Sequence, residues 1–115
     1  MIEVKSKDVQ SIVSATFPNY RRQKVYIEPC TSVTLRGLNW SGGTKAEYRA
    51  CTVDGRSLAN KIDMGAPAPW NNQYEGLKII LPPDVLIVQG GHFGGKTATL
   101  RIYVHPDNMP KLLNR

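Results

Sequence analysis

Cysteine is scarce in this chain. Cys30 and Cys51 are the only two, too few to frame a disulfide-stapled secreted scaffold, so both are read as free thiols. His92 and His105 are the only histidines, and no pair among these four has a metal-ligand spacing such as C-x-x-C or H-x-x-x-H. No metal is expected. Long apolar runs are missing as well: the longest, Val85 to Val88, falls far short of the roughly 20 residues a membrane helix needs. The opening Met1-Ile2-Glu3-Val4-Lys5 carries an acid and leads into no apolar signal core, so neither export nor membrane contact is expected. Without export, the match of Asn39-Trp40-Ser41 to the glycosylation sequon carries no weight. The four glutamates and five aspartates are scattered and form no local acid pair, and nothing near the cysteines or histidines resembles a nucleophile elbow. An enzyme is disfavoured, and no cofactor is implied.

What is present is an ordinary globular composition. The 115 residues, 41% hydrophobic and 21% charged, suit one domain spanning residues 1–115 with a single core. Fifteen Lys and Arg against nine acids leave a net charge of +6. That balance raises a polyanion partner, but the excess is spread over both ends: six basic against three acidic residues in 1–36, and five against two in 76–115. No run exceeds the pair Arg21-Arg22, so a solvated surface is the simpler reading.

Period two dominates. Lys96 to Val104 alternates Ala98, Leu100, Ile102 and Val104 with Thr97, Thr99, Arg101 and Tyr103, which describes a strand with one wet face. Lys24–Glu28 and Ser32–Arg36 alternate likewise around Pro29-Cys30, where proline's missing donor interrupts the ladder. Ala46–Val53 runs into the turn dipeptide Asp54-Gly55. Leu77–Leu81 and Val85–Val88 flank Pro82-Pro83-Asp84, a turn that leaves the two runs paired or linked across two sheets. Residues 8–17 fit either a helix capped by Asp8 or a strand, and the sequence leaves both open. After His105-Pro106, Asp107 and Pro110 suit a short terminal helix. Six to eight short strands and no crossover helix point to an all-β fold, a single antiparallel β-sandwich or flattened barrel. The long irregular segment 54–76, rich in proline and aromatics, is its binding element or a packed surface loop.

Gly90-Gly91-His92-Phe93-Gly94-Gly95-Lys96-Thr97 satisfies the phosphate-loop pattern G-x-x-x-x-G-K-[ST] after an apolar strand. That chemistry needs a helix whose first N–H groups face the phosphates, whereas the residues after Thr97 alternate as a strand. A glycine-rich hairpin joining the last two strands explains the same letters. A smaller possibility stays open: backbone N–H groups at Gly90, Gly91, Gly94 and Gly95, with Lys96 and the arginines Arg21, Arg22 and Arg49, form an anion concavity for a nucleotide or other phosphate ligand.

Trp40 and Trp70 lie in segments read as loops, where an indole either plugs a sandwich end or anchors a partner. Trp70, Asn71, Asn72, Tyr74 and Trp40 are therefore the candidate protein contacts. Tyr20-Arg21-Arg22 and Tyr48-Arg49 are suited to stacking on bases, but the aromatic pattern of RNA-recognition sheets is missing.

The string Leu38-Asn39-Trp40-Ser41-Gly42-Gly43, Tyr48-Arg49-Ala50, Asp54-Gly55, the Pro67-Ala68-Pro69-Trp70 loop and Tyr103-Val104-His105-Pro106 resembles small all-β proteins encoded by tailed bacteriophages. The resemblance covers about residues 36–113 and carries no catalytic motif. It implies a role in capsid decoration or stabilisation, with the chain itself or phage capsid proteins as partners and the virion or host cytoplasm as location. The expectation is a non-enzymatic structural or interaction protein. The alternative is a small binder that sequesters a nucleotide or other phosphate ligand through Gly90–Lys96. A third reading is salt-sensitive, non-specific nucleic-acid binding driven by net charge.

Overall fold

In the computed structural model, residues 1–21, 24–38, 44–58, 72–93 and 99–113 are described. Among these residues strand is the main regular structure, with two short helices. β1 (Ile2–Lys5) leads through a 3-10 turn (Ser6–Val9) into α1 (Gln10–Thr16). β2 (Lys24–Pro29), β3 (Ser32–Thr34) and β4 (Thr44–Thr52) follow, then a 3-10 turn at Asn72–Tyr74. β5 (Lys78–Ile80), β6 (Val85–Phe93), β7 (Leu100–Val104), a 3-10 turn (Pro106–Asn108) and α2 (Met109–Leu113) complete the order.

Five strands form one sheet in the order β1-β2-β7-β6-β4, and β3 pairs with β5 in a second. The expectation of a purely antiparallel fold is corrected at one place: β2 and β7 run parallel, from Val25 opposite Leu100 to Pro29 opposite Val104. Parallel neighbours need a long crossover. Here residues 30–99 supply it, so no helix between consecutive strands is required. The remaining pairs are antiparallel. Pro82–Asp84 links β5 in the small sheet to β6 in the large one, with Asp84 at a φ of 65°, a left-handed conformation that aspartate tolerates.

Alternation along the strands sorts the core into two clusters. Val25, Ile27, Leu86, Val88, Leu100, Ile102 and Val104 point to one side of the large sheet, where Val9, Ile12 and Val13 and α2 residue Leu112 cover them. On the opposite side Tyr48, Ala50, Val85 and Ile87 share a buried cluster with Val33, Leu35, Ile79 and Leu81 of the small sheet and its flanks.

Of residues 8–17, Gln10–Thr16 resolve as helix, preceded by the 3-10 turn that ends at Val9. Val9, Ile12 and Val13 sit at helical spacing on one face and are fully buried, which a strand could not achieve. Asp8 does not cap this helix; it lies inside the 3-10 turn. At the other end His105, rather than Asp107, is the cap, its Nδ1 accepting from the Asp107 N–H at 3.1 Å.

Glycine explains two tight approaches. A Cβ at Gly90 would lie 2.8 Å from the Phe17 ring, so the missing side chain lets Phe17 settle onto β6. At Gly55 φ is +88°, and a Cβ would meet the Ser11 backbone at 2.8 Å. The Asp54-Gly55 turn thereby abuts α1.

Candidate functional site: an exposed edge strand and the sheet face beside it

Of the expected protein contacts, Trp40, Trp70 and Asn71 lie outside the described residues. Asn72 opens the short 3-10 turn. Tyr74 is half-buried and packs against the cluster beneath the small sheet, while its carbonyl accepts from the Leu77 N–H at 3.0 Å. Neighbouring Glu75 accepts from the N–H groups of Gly37 and Leu38, each at 3.0 Å, and so ties this turn to the segment after β3.

Of the expected anion-binding set, Gly94, Gly95, Lys96 and Arg22 lie outside the described residues. Gly90 and Gly91 belong to β6, opposite Glu47 and Ala46 of β4. The ladder continues through His92 and Phe93, so the first half of the phosphate-loop letters is spent on strand pairing. Downstream, Leu100–Val104 is strand, where a phosphate loop requires helix. The two described arginines of the set are separately engaged. Arg21 donates to the Pro18 carbonyl at 2.8 Å. Arg49 lies over the Phe17 ring, 4.5 Å from its centroid, donates to the Thr16 carbonyl and pairs with Glu47 at 2.9 Å. Arg49, Phe17 and Gly90 do come together, as the packing that holds the end of α1 on the sheet.

Cys30 and Cys51 enter opposite clusters. Burial, reinforced by Glu28, pushes the Cys30 thiol up from its ordinary range, which favours the less nucleophilic thiol form at neutral pH. Among the described residues no group of three or more His, Cys, Asp or Glu is placed to hold a metal ion. No helix there is long and apolar enough to cross a membrane.

Two features stand out that the sequence reading missed. The first is β1, an edge strand whose residues are exposed except for half-buried Val4. Met1 and Ile2 are 66% and 38% exposed, and no described strand pairs with the outer side of β1. The second is the adjoining part of the sheet face turned away from the helices. Register aligns Glu3, Tyr26, Arg101, Gln89 and Tyr48 in one row across all five strands. The small-sheet cluster covers the Tyr48 end of this row and has Tyr103 of β7 packed against it, but takes no side chain from β1 or β2. Tyr26, Glu28, Arg101 and Tyr103 are half-buried, with Lys5 and Lys24 exposed beside them. Tyr103 donates to Gln89 Oε1 at 2.7 Å, Arg101 faces Glu28 at 3.8 Å, and Lys24 pairs with Glu3 at 3.1 Å. Burial pushes the Tyr103 and Tyr48 hydroxyls up from their ordinary range, so both stay protonated as donors. A signal for this strip was available: Tyr26, Arg101 and Tyr103 are the wet-face positions of two alternating runs. What the alternation could not supply was that those runs lie side by side.

Compared with models of protein families, with curated proteins and with solved structures, the chain matches none.

Proposed function

We propose that this chain is a non-enzymatic interaction module that works by joining protein surfaces, either copies of itself or the capsid proteins of a phage particle. The observation that carries this reading is the exposed edge strand β1. An unpaired strand offers a row of N–H and C=O groups to a strand from another chain, and Met1 and Ile2 add exposed apolar surface at the same place. The resemblance to phage all-β proteins favours a particle as the setting. In the same reading the two sheets form a flattened sandwich, supported by the cluster that Val33, Leu35, Ile79 and Leu81 share with Tyr48, Ala50, Val85 and Ile87.

Light scattering on the native protein tests the proposal beside proteomics of purified particles. The expected result is a mass that is a multiple of the 12.8 kDa chain, or recovery with particles. A strictly monomeric protein that no particle contains overturns it.

A further inference from the structure

The strip Tyr26, Arg101 and Tyr103 has a chemistry different from the apolar surface at the β1 edge. It combines aromatic rings, a guanidinium and an amide on a sheet backed on its other side by helices. Tyr26 stands opposite Arg101, and Glu28 opposite Tyr103, on adjacent parallel strands. The two tyrosines are therefore diagonal neighbours, one strand spacing apart and two residues along, roughly 8 Å in all. Tyr103 also packs against the small-sheet cluster, so Tyr26 is the ring available to an unstacked base and half-buried Tyr103 borders it; aromatic platforms take bases with little regard to sequence. The charges agree. Lys5, Lys24 and Arg101 outnumber Glu3 and Glu28 on this part of the face, and the chain as a whole carries +6. At 3.8 Å, with both partners about one-third exposed, the Arg101–Glu28 pair is a loose contact that a phosphodiester oxygen can replace. A protein partner would more often seek a desolvated apolar centre, which this strip lacks.

From this arrangement we infer that the face of β2 and the adjoining part of β7 form a binding site for single-stranded nucleic acid, with Tyr26 stacking on a base and Arg101, Lys24 and Lys5 facing the backbone. The site lies on the sheet face beside the β1 edge, from which it takes Lys5, and does not depend on self-association.

Fluorescence anisotropy with labelled oligo-dT and oligo-rU, each twelve nucleotides long, tests it on the full chain. Both probes are expected to bind at low salt and weaken as salt rises, and the tighter of the two identifies DNA or RNA as the preferred source. Tyr26→Ala should weaken binding roughly tenfold while Tyr26→Phe preserves it, since stacking needs the ring and not the hydroxyl. Arg101→Gln should reduce the slope of log affinity against log salt by about 0.7, a readout that remains should Tyr26→Ala fail to fold. A double Lys7→Ala, Lys111→Ala variant removes two cations carried by the helix-side elements and should change little. No binding of either probe at low salt overturns the inference. So does a loss from the Lys7/Lys111 variant as large as that from Tyr26→Ala, which would indicate diffuse charge alone. Loss of a native oligomer in Tyr26→Ala, without nucleic-acid binding in the parent, would make the strip a protein interface and overturn it equally.

Discussion

Gly55 and Gly90 differ in what stands in the way of a side chain. At Gly90 the obstacle is the far edge of the Phe17 ring, a group that can turn even though Arg49 lies against it. At Gly55 it is the Ser11 backbone, and the positive φ adds its own strain. Gly55→Ala is therefore expected to destabilise by about 2–3 kcal/mol and Gly90→Ala by about 1 kcal/mol. Urea midpoints of the two variants check the order. In a Phe17→Ala background the Gly90→Ala cost should largely vanish, because the obstacle is gone. Titration belongs to this scale as well. The Tyr48 and Tyr103 hydroxyls are raised from 10.0 and the Cys30 thiol from 9.0, in each case mainly by burial. The unfolded chain therefore loses these protons first as pH rises. Their contribution to stability is complete below the ordinary values and declines through and above pH 9–10. Urea midpoints measured from pH 8 to 11 should fall, and Tyr103→Phe should shallow the fall.

Among the elements, β6 carries the most. Leu86 and Val88 fill the helix-side cluster, and Val85 and Ile87 fill the other. Leu86 is 0% exposed, so Leu86→Ala should cost about 2–5 kcal/mol by thermal or urea unfolding. The edge strand behaves oppositely. Ile2→Lys should leave the unfolding midpoint nearly unchanged yet reduce any native oligomer toward the 12.8 kDa chain, as read by light scattering. Much of this level was legible in the sequence, because period two exposes the buried face of each strand: Lys24–Glu28, Val85–Val88 and all of Ala46–Val53 but Val53 lie in strands, and of the expected run Lys96–Val104 the residues Leu100–Val104 do. The failures have physical causes. β1 has four residues, too few for alternation to stand out. In so short a window Val9, Ile12 and Val13 fit a helix while Val9, Ser11, Val13, Ala15 and Phe17 fit a strand, and only a sheet face to cover makes the helix win. β6 continues through Gly90 and Gly91 because β4 pairs with both, and at Gly90 the Phe17 ring occupies the place of a side chain. As for the candidate site, Tyr26, Arg101 and Tyr103 were each readable as solvent-facing, but their adjacency depends on strand order, which no local pattern encodes.

Taken whole, the chain is closed by a pairing between its early and late parts. β7 stands between β2 and β6, and the β2–β7 contact encloses residues 30–99. Bringing such distant segments together is entropically slow. Refolding followed by stopped-flow fluorescence should therefore proceed in milliseconds to seconds rather than microseconds. Removing residues 99–115 should abolish the cooperative unfolding transition altogether, since the sheet loses its middle strand as well as the α2 cover.

The placement of β7 also matters while the protein is being made. On the ribosome Leu100–Val104 emerges after every strand it must join, so for a time β2 and β6 present raw edges to a crowded cell, and α1 has only part of its platform to rest on. The nascent chain is most vulnerable to wrong pairing during that interval. Slower translation would lengthen the exposure, and a binder that temporarily occupies the gap would act as a specific holdase.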